Sequence, residues 1–389
     1  MAWAALASAA VAVQQVYRVD VDTIFLPLNG VALQAHSGHV AWRFPRYRGQ
    51  TYTDGHGLLI LGWVVALAPP FHQHFTRICR LDTRTGASLW CRDRAGVEQW
   101  VVDNDGGYVY VHTRGRLEVL TTAHGQSDRS FDLARDDELT LLPLPHTGLL
   151  MLERRRGRAF AALRYQPGAA ALAGEPVPAT LYPFQGNGRG LLLYARPQHE
   201  FFLGAPLRRL LAWHQSGSAS FFPRAKLDEH GFIFTDLQNG QPVVRGGTYR
   251  GALWQAPRQS AKPQLGLSAR VAVMLDGNGR AGLRLRGWDL QRGDLLYDDP
   301  VPAAADHQPR LQAADGVLVL QTDTQVCLRN AASGTLLWQT ERHEGTLAAV
   351  TRTAVVFWEE SGEMAALARN NGNLLWRVRF TRAGWALPF

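Results

Sequence analysis

The sequence is poor in lysine. Only two of its 41 basic residues are lysines, Lys226 and Lys262, although the formal net charge is +8. A basic balance can indicate binding to nucleic acid or to an acidic surface. The arginines, however, are scattered, and only residues 153–158, Glu-Arg-Arg-Arg-Gly-Arg, form a cluster. Because that cluster is typical of a solvated hairpin turn, we ascribe the arginine excess to coding bias and predict no nucleic-acid partner.

Long apolar runs are also scarce. No run of 18 apolar residues follows the N-terminal segment, so we predict no transmembrane helix; peripheral association with a membrane stays open. Residues 1–13 are apolar and contain two Ala-x-Ala ends, but no Lys or Arg precedes them. They are either the remnant of an export signal or an apolar lead-in to the fold. We expect an exported bacterial protein of the periplasm or cell envelope, with one domain at 14–389.

Cysteine is rare, with three residues in the chain. Cys79 and Cys91 flank the turn Asp-Thr-Arg-Thr-Gly at 82–86. If the flanks pair as a hairpin, the two side chains come within reach of a cross-strand disulfide, which is typical of exported proteins. The alternative is two buried thiols that pack as small apolar groups. Cys327 has no evident partner.

Glycine and tryptophan, by contrast, are abundant, with 38 and 12 residues. They recur in a phrase in which a strand-like run reaches a polar turn, a glycine and then an aromatic residue four positions later. The clear pairs are Gly38/Trp42, Gly86/Trp90, Gly293/Tyr297, Gly334/Trp338 and Gly372/Trp376. Weaker copies lie around Gly125, Gly168, Gly217 and Gly251. The copies are roughly 40 residues apart, which suits a unit of four strands.

Each part of the phrase has a physical reason. The glycine takes a positive φ at the end of a tight turn. The aromatic residue then lies in the returning strand, where its ring can cover apolar area of the neighbouring unit, at a gain on the order of 2–3 kcal/mol. Helical periodicity is nowhere sustained. We therefore predict an all-β fold in which the aromatic residues hold successive sheets together.

The stretch Arg-Leu-Asp-Thr-Arg-Thr-Gly-Ala-Ser-Leu-Trp at 80–90 resembles the tryptophan-docking motif, A-x-D-x-x-T-G-x-x-x-W, of the quinoprotein-like or PQQ-repeat β-propeller family. The resemblance covers most of residues 20–385 and is weaker between about 125 and 260. It implies a β-propeller of four-stranded antiparallel blades, eight in number within a range of seven to nine. The N-terminal unit lacks an evident first strand. We expect residues 382–389 to supply it and to close the ring with strands from both termini.

The family contains both enzymes and scaffolds. Many of its quinone-dependent alcohol dehydrogenases carry an adjacent cysteine pair and a Glu/Asn/Asp set around calcium, and neither is identifiable in this sequence. The chain is more similar to the non-enzymatic BamB-type scaffolds in length and in consisting of little but blades, although its first cysteine, Cys79, is not a lipidation cysteine. We therefore expect a scaffold for protein–protein interaction, without a cofactor, in envelope or outer-membrane protein assembly. The alternatives are a PQQ-dependent oxidoreductase that binds PQQ and calcium, and a ligand-sensing module.

Other local motifs favour ordinary structural roles. His72 and His74 share one face of an extended segment but have no third ligand nearby, so no metal is predicted. The runs at 103–107 and 276–279 are typical of hairpin turns rather than of calcium loops. No catalytic residue is predicted. The candidate partner surface is the irregular, aromatic and arginine-rich stretch at 186–206, and its chosen residues are Arg189, Arg196, Phe201 and Phe202.

Overall fold

The structure is a computed structural model of the chain, and it describes residues 16–388 with gaps. The gaps are residues 46–48, 67–73, 104–105, 134–137, 145–147, 156–158, 176–179, 187–190, 197–199, 204–207, 213–223, 228–229, 239–240, 249–252, 260–262, 279–281, 302–308, 323–324, 342–344, 360–361 and 381–385. Several strands between 142 and 212 are described in their backbone but not in all of their side chains.

Every regular element in the described residues is a β-strand, and the strands form nine antiparallel sheets, A to I, in chain order. Sheet A comprises β1 (Tyr17–Arg18), β2 (Thr23–Leu26), β3 (Val31–Gln34) and β4 (Val40–Arg43). Sheet B comprises β5 (Gly49–Thr53), β6 (Leu59–Ala66), β7 (His74–Leu81) and β8 (Ser88–Ala95). Sheet C comprises β9 (Val97–Val102), β10 (Tyr108–Thr113), β11 (Arg116–Thr121) and β12 (Ser127–Asp132).

The middle of the chain forms three further four-stranded sheets. Sheet D comprises β13 (Glu138–Leu144), β14 (Gly148–Arg155), β15 (Ala159–Tyr165) and β16 (Ala173–Glu175). Sheet E comprises β17 (Thr180–Gly186), β18 (Leu191–Arg196), β19 (Glu200–Leu203) and β20 (Arg208–Ala212). Sheet F comprises β21 (Ala225–Leu227), β22 (Phe232–Gln238), β23 (Gln241–Gly247) and β24 (Trp254–Pro257).

The last three sheets carry the clearest phrases of the second half. Sheet G comprises β25 (Gln264–Ser268), β26 (Val271–Asn278), β27 (Gly282–Asp289) and β28 (Leu295–Val301). Sheet H comprises β29 (Arg310–Ala314), β30 (Val317–Gln321), β31 (Gln325–Asn330) and β32 (Leu336–Glu341). Sheet I has five strands, β33 (Thr346–Val350), β34 (Ala354–Trp358), β35 (Glu363–Ala368), β36 (Leu374–Phe380) and β37 (Ala386–Pro388).

Burial falls from the second strand of a sheet to the fourth. All residues of β2 and β30 are buried, whereas β12 is almost wholly exposed and β32 buries only its aromatic residue. A strand covered on both faces needs a nearly continuous apolar sequence, as in Val-Leu-Val-Leu-Gln of β30. We call the fourth strand of each sheet the outer strand.

The hydrophobic core lies between neighbouring sheets. One cluster joins sheets A and I, and a second joins sheets A and B. Three others join sheets C and D, sheets F and G, and sheets G and H. These sheets therefore bury their faces against other sheets, as blades of a β-propeller do.

The chain divides into two compact units. The first comprises residues 1–65, 77–91 and 344–389, which include sheets A and I and most of sheet B. The second comprises residues 66–76 and 92–343, which include sheets C to H. No helix able to cross a membrane is found in the described part of the chain.

The fold class predicted from the phrase is confirmed, and the number of sheets lies at the upper end of the predicted range. The expected exchange of strands between the termini is wrong. Sheet A has its own first strand, since Tyr17 pairs with Phe25 of β2. The C-terminal strand β37 pairs with the outer strand β36 of its own sheet instead. The sequence misled because β1 is only two residues long, too short for an alternating pattern to be visible.

Candidate functional site

The glycine of each phrase closes the same turn. Its N–H donates to the carbonyl oxygen four residues earlier, and its φ is positive, as a residue without a Cβ tolerates. The glycines with this hydrogen bond and with φ between 61° and 76° are Gly38, Gly86, Gly125, Gly293, Gly334 and Gly372. The phrase therefore specifies one backbone conformation wherever it recurs.

Polar side chains at the start of the turn stabilise it. Asp82 accepts hydrogen bonds from the N–H groups of Arg84 and Thr85, and Asn330 does the same for the N–H groups of Ala332 and Ser333. The backbone bond from Thr85, followed by the one from its hydroxyl, lowers the pKa of Asp82. The Asp82 carboxylate and the Asn330 amide are therefore engaged in hydrogen bonds within their own turns.

The aromatic residue of one sheet packs on the glycine of the next phrase. A Cβ added to Gly86 would lie 2.6 Å from the ring of Trp42, and one added to Gly38 would lie 2.8 Å from that of Trp376. In the second unit, Trp254 packs on Gly293 in the same way. The glycine is thus required twice, by its φ and by the ring that lies against it.

The indole N–H completes this contact. In these three cases its acceptor is the carbonyl oxygen three residues before the glycine. The hydrogen bonds are Trp42 to Thr83 at 2.6 Å, Trp254 to Leu290 at 3.0 Å and Trp376 to Ala35 at 2.7 Å. Trp90 and Trp338 are buried at equivalent positions of their outer strands. The tryptophans thus hold sheets together by packing and by a directed hydrogen bond.

Tyr297 takes the tryptophan position in sheet G. Its ring lies on Gly334, where an added Cβ would come within 2.7 Å. Its buried hydroxyl has no hydrogen-bond partner among the described residues. Burial, the largest cause, raises the pKa of Tyr297, because ionisation would place a charge in an apolar site.

Sequence reasoning missed the residues that make room for four of the aromatic rings. In sheets A, F, G and I the third strand carries a small residue directly opposite the aromatic one, whereas in sheet H Leu328 lies opposite Trp338. The four pairs with a small residue are Ala32 with Trp42, Gly246 with Trp254, Gly287 with Tyr297 and Ala366 with Trp376. The sequence signal that could have identified these residues was an alanine or glycine in the strand that precedes the turn.

The cysteines lie in sheets B and H. A disulfide joins Cys79 of β7 to Cys91 of β8, with their Cα atoms 4.1 Å apart. Cys79 is fully buried in the cluster that also contains Trp42. Cys327, in β31, is a half-buried free thiol whose pKa is raised by burial.

Charged side chains on several sheets pair with one another. The ion pairs include Arg94–Glu118 and Arg284–Asp298 at 2.6 Å, and Arg329–Asp299 and Arg377–Glu359 at 3.1 Å. The hydrogen bond from Arg94 lowers the pKa of Glu118. Burial alone would raise the pKa of Asp298, but hydrogen bonds from Arg284 and Arg286 outweigh it and lower that pKa.

Exposed leucines mark the outer strands. They occupy the two positions before the docked aromatic residue, and their side chains are about half exposed. They are Leu295 and Leu296 of β28 at 55% and 40%, Leu336 and Leu337 of β32 at 47% and 46%, and Leu374 and Leu375 of β36 at 52% and 39%. Leu89 and Leu253 continue the series on sheets B and F. Large exposed apolar groups grouped in this way are typical of binding surfaces.

Of the predicted partner surface at 186–206, the residues that the structure describes lie in β-strands rather than in an irregular loop. Phe201 and Phe202 lie in β19, where they pair with Tyr194 and Leu193 of β18, and Arg196 ends β18. Arg189 lies outside the described residues, as do the side chains of the other three chosen residues. This surface stays a prediction.

The remaining motifs lie at turns or strand ends. Asp103 accepts a hydrogen bond from the N–H of Tyr108 within the turn between β9 and β10. Asp276 is buried near the end of β26. His74 is exposed at the start of β7, and His72 lies outside the described residues. Among the residues that the structure describes, no group of three or more His, Cys, Asp or Glu residues could hold a metal.

Four-stranded antiparallel sheets whose aromatic residues dock on the glycine turns of the next sheet define a β-propeller repeat of the tryptophan-docking type. Residues 250–384 match the family described as outer membrane protein assembly factor BamB. This match confirms the resemblance to the PQQ-repeat propellers. No curated protein matches the sequence.

Solved structures similar to the chain include BamB from Moraxella catarrhalis, 13% identical, which covers 91% of this chain and 93% of its own with a TM-score of 0.37. A eukaryotic initiation factor is 8% identical and covers 94% of this chain and 87% of its own, with a TM-score of 0.47. Dihydro-heme d1 dehydrogenase NirN in complex with DHE is 14% identical, covers 93% and 72%, and has a TM-score of 0.45.

Proposed function

We propose that the chain is a non-enzymatic scaffold of the bacterial envelope that binds a partner protein through its outer strands. The observation that carries this proposal is the series of half-exposed leucines before the docked aromatic residues. Burying such side chains against a partner would release apolar surface from water, which is the main driving force of association.

The fold itself does not require leucine at these positions. In sheets A and B, where Trp42 and Trp90 are the aromatic residues, Ala41 and Ser88 occupy one of the two positions. Sheet C has Ser127 and Asp128 there, but Arg129 takes its aromatic position. A buried tryptophan therefore tolerates a small residue at one of the two positions. Packing of the aromatic residues therefore does not require the leucine pairs of β28 and β32. This favours a role for these leucines in binding.

The disulfide supports a location outside the cytoplasm. A bond between Cys79 and Cys91 persists in the oxidising periplasm and is rare in the reducing cytosol. The apolar segment at 1–13 agrees with export. More specifically, we propose a role in outer-membrane protein assembly, which the description of the matching family supports.

The partner that we propose is a protein or peptide rather than nucleic acid. Arginines such as Arg284 and Arg329 are paired with carboxylates of their own sheet or the sheet beside it, and a pairing of this kind leaves less positive charge for phosphates. We propose no catalytic residue and no cofactor. PQQ and calcium belong to the alternative, a quinone-dependent oxidoreductase.

Affinity capture from envelope extracts tests the proposal. The wild type should retain a partner protein, identified by mass spectrometry, which the variant Leu295→Asp/Leu296→Asp/Leu336→Asp/Leu337→Asp loses. The control Ser127→Asp adds one negative charge to outer strand β12, against four in the leucine variant, and should retain the partner. Loss of the partner from both variants, or its retention by both, would contradict the role of the leucines.

Two further arms separate the competing ideas. Reversing the charge of Arg189 and Arg196 together with Phe201→Ser examines the stretch at 186–206; unchanged capture would remove that surface. Dye-linked oxidation of alcohols or sugars after addition of PQQ and calcium examines the enzyme alternative. Turnover above a control without quinone would overturn the scaffold proposal.

A further inference from the structure

The outer strand of sheet H presents an open edge. In the described part of the chain, sheet H ends at β32, which pairs with β31 and with no other strand. Alternate backbone N–H and C=O groups of an edge strand point away from the sheet and can pair with an additional strand. Leu336 and Leu337 lie at the beginning of this edge, each about half exposed.

Sheet I shows what such an edge accepts. Its outer strand β36 carries Trp376 at the position that Trp338 has in β32. The C-terminal strand β37 adds to β36 antiparallel, with Leu387 opposite Arg379 and Ala386 opposite Phe380. The pairing covers only Val378, Arg379 and Phe380, at the end of β36 away from Leu374 and Leu375. An outer strand of this design therefore takes up an added apolar segment at its C-terminal end, and a segment on β32 would have to extend further along the edge to contact Leu336 and Leu337.

Other outer strands carry features that oppose strand addition. β28 contains Pro300, which has no N–H to donate, and β24 ends in Pro257. Charged residues occupy the middle of β8, including Asp93. Proline and charge are the usual protection of sheet edges. In β32, by contrast, the residues from Leu336 to Thr340 are uncharged and include no proline.

We propose that the outer edge of β32 is a strand-addition site that binds an extended apolar segment of the partner polypeptide, antiparallel to β32. The six residues of β32 set the length of the segment that can pair. At one end of the bound segment, the side chains contact Leu336 and Leu337. At the other end, the segment has no acidic residue opposite Glu341. This proposal rests on the scaffold function and names the kind of segment that the scaffold binds.

The probe is a fluorescein-labelled peptide with the sequence of residues 382–389, which contains the segment seated on β36. A second version carries a benzophenone group for photo-crosslinking. Both are added to the full-length protein. Fluorescence anisotropy measures affinity, and mass spectrometry of the digested adduct locates the contact.

The variant Leu336→Asp/Leu337→Asp tests the site. Ser127→Asp on outer strand β12 is its control, because it places two adjacent acidic residues, 127 and 128, at the equivalent positions of a strand without leucines. We expect saturable binding that weakens by about ten-fold or more in the first variant and changes by less than about two-fold in the second. Far-UV circular dichroism verifies that both remain folded.

Adducts within residues 336–341 are the expected crosslinks. Adducts confined to other strands, equal weakening by Leu336→Asp/Leu337→Asp and Ser127→Asp, or no saturation up to about 1 mM peptide would overturn the proposal. The scaffold function fails separately. If envelope capture finds a leucine-dependent partner while the peptide does not bind β32, the scaffold stands and strand addition is wrong; if β32 binds the peptide but capture finds no partner, the scaffold function is wrong.

Discussion

The indole N–H of Trp376 donates a hydrogen bond to the carbonyl oxygen of Ala35 at 2.7 Å, across 341 positions of sequence. The ring of the same residue lies on Gly38, three residues after its acceptor. Sheets A and I, the first and the last of the chain, are therefore held together by the same contact that joins successive sheets elsewhere.

Replacing Trp376 should separate the two parts of this contact. Trp376→Ala removes the ring and its hydrogen bond and should lower the free energy of unfolding by about 3–5 kcal/mol. Trp376→Phe keeps much of the apolar area but leaves the Ala35 carbonyl without its donor, at a cost of about 1–2 kcal/mol. Urea unfolding followed by circular dichroism measures both. A Trp376→Phe variant as stable as the wild type would contradict the role of the hydrogen bond.

Two glycines of sheet H distinguish close approach from backbone conformation. Gly334 and Gly316 both have positive φ, 70° and 78°, but only Gly334 lies against a ring, that of Tyr297. Gly316→Ala should cost about 1–2 kcal/mol for the left-handed conformation alone. Gly334→Ala should cost about 1–3 kcal/mol more because its Cβ displaces the ring. Equal costs in urea unfolding would show that the ring does not press on Gly334.

The sequence was sufficient to predict the turn and the docked residue, but not the full docking geometry. Gly86 and Trp90 recur at a fixed spacing because one turn sets both, so the pattern is visible along the chain. The ring of Trp42, however, lies on Gly86 of the following phrase. That choice depends on how two sheets face each other, which no local spacing encodes. The same limit applies to β37, whose three residues have no periodicity to indicate a partner strand.

The outer surface was harder to predict for a different reason. Leu336 and Leu337 precede a buried tryptophan, and a run of three apolar residues is typical of a core strand. The structure shows that two of the three are about half exposed, because an outer strand has a neighbour only on one side. The candidate surface at 186–206 was chosen instead for its irregular sequence, and those of its residues that the structure describes lie in strands β17 to β19.

Tyr297 predicts a pH-dependent effect. Its pKa is raised above the ordinary value of 10.0, so the folded protein holds the phenol proton more tightly than the unfolded chain. The resulting stability is fully present below pH 10 and is lost as the pH rises further. Tyr297→Phe has no proton to lose there. Its stability relative to the wild type should therefore increase between pH 9 and pH 11, which lie about one unit below and about one unit above the ordinary tyrosine pKa.

At neutral pH, Tyr297→Phe should be as stable as the wild type or up to about 1 kcal/mol more stable, because it removes a buried hydroxyl that has no partner among the described residues. Urea unfolding at several pH values measures the difference. Wild-type and variant curves that stay parallel through pH 11, about one unit above the ordinary pKa, would contradict the burial of this phenol.

The disulfide of sheet B should contribute to stability and to the thiol count. Cys79→Ser/Cys91→Ser opens a short loop, with a sequence separation of 12, and should lower the free energy of unfolding by about 3 kcal/mol. Alkylation of the unfolded, unreduced protein should label only Cys327, and labelling after reduction should reach all three cysteines. The control Cys327→Ser should leave the unreduced protein without a reactive thiol. Three labelled cysteines before reduction would exclude the bridge.

A double-mutant cycle on Trp42 and Gly86 tests the docking contact most directly. The free energies of unfolding of the wild type, Trp42→Ala, Gly86→Ala and the double variant are measured in urea. If the ring of Trp42 rests on Gly86, alanine at position 86 should cost much less once the ring is absent, and the coupling energy should exceed about 1 kcal/mol. Additivity within about 0.5 kcal/mol would show that the aromatic residue of one sheet does not dock on the glycine of the next.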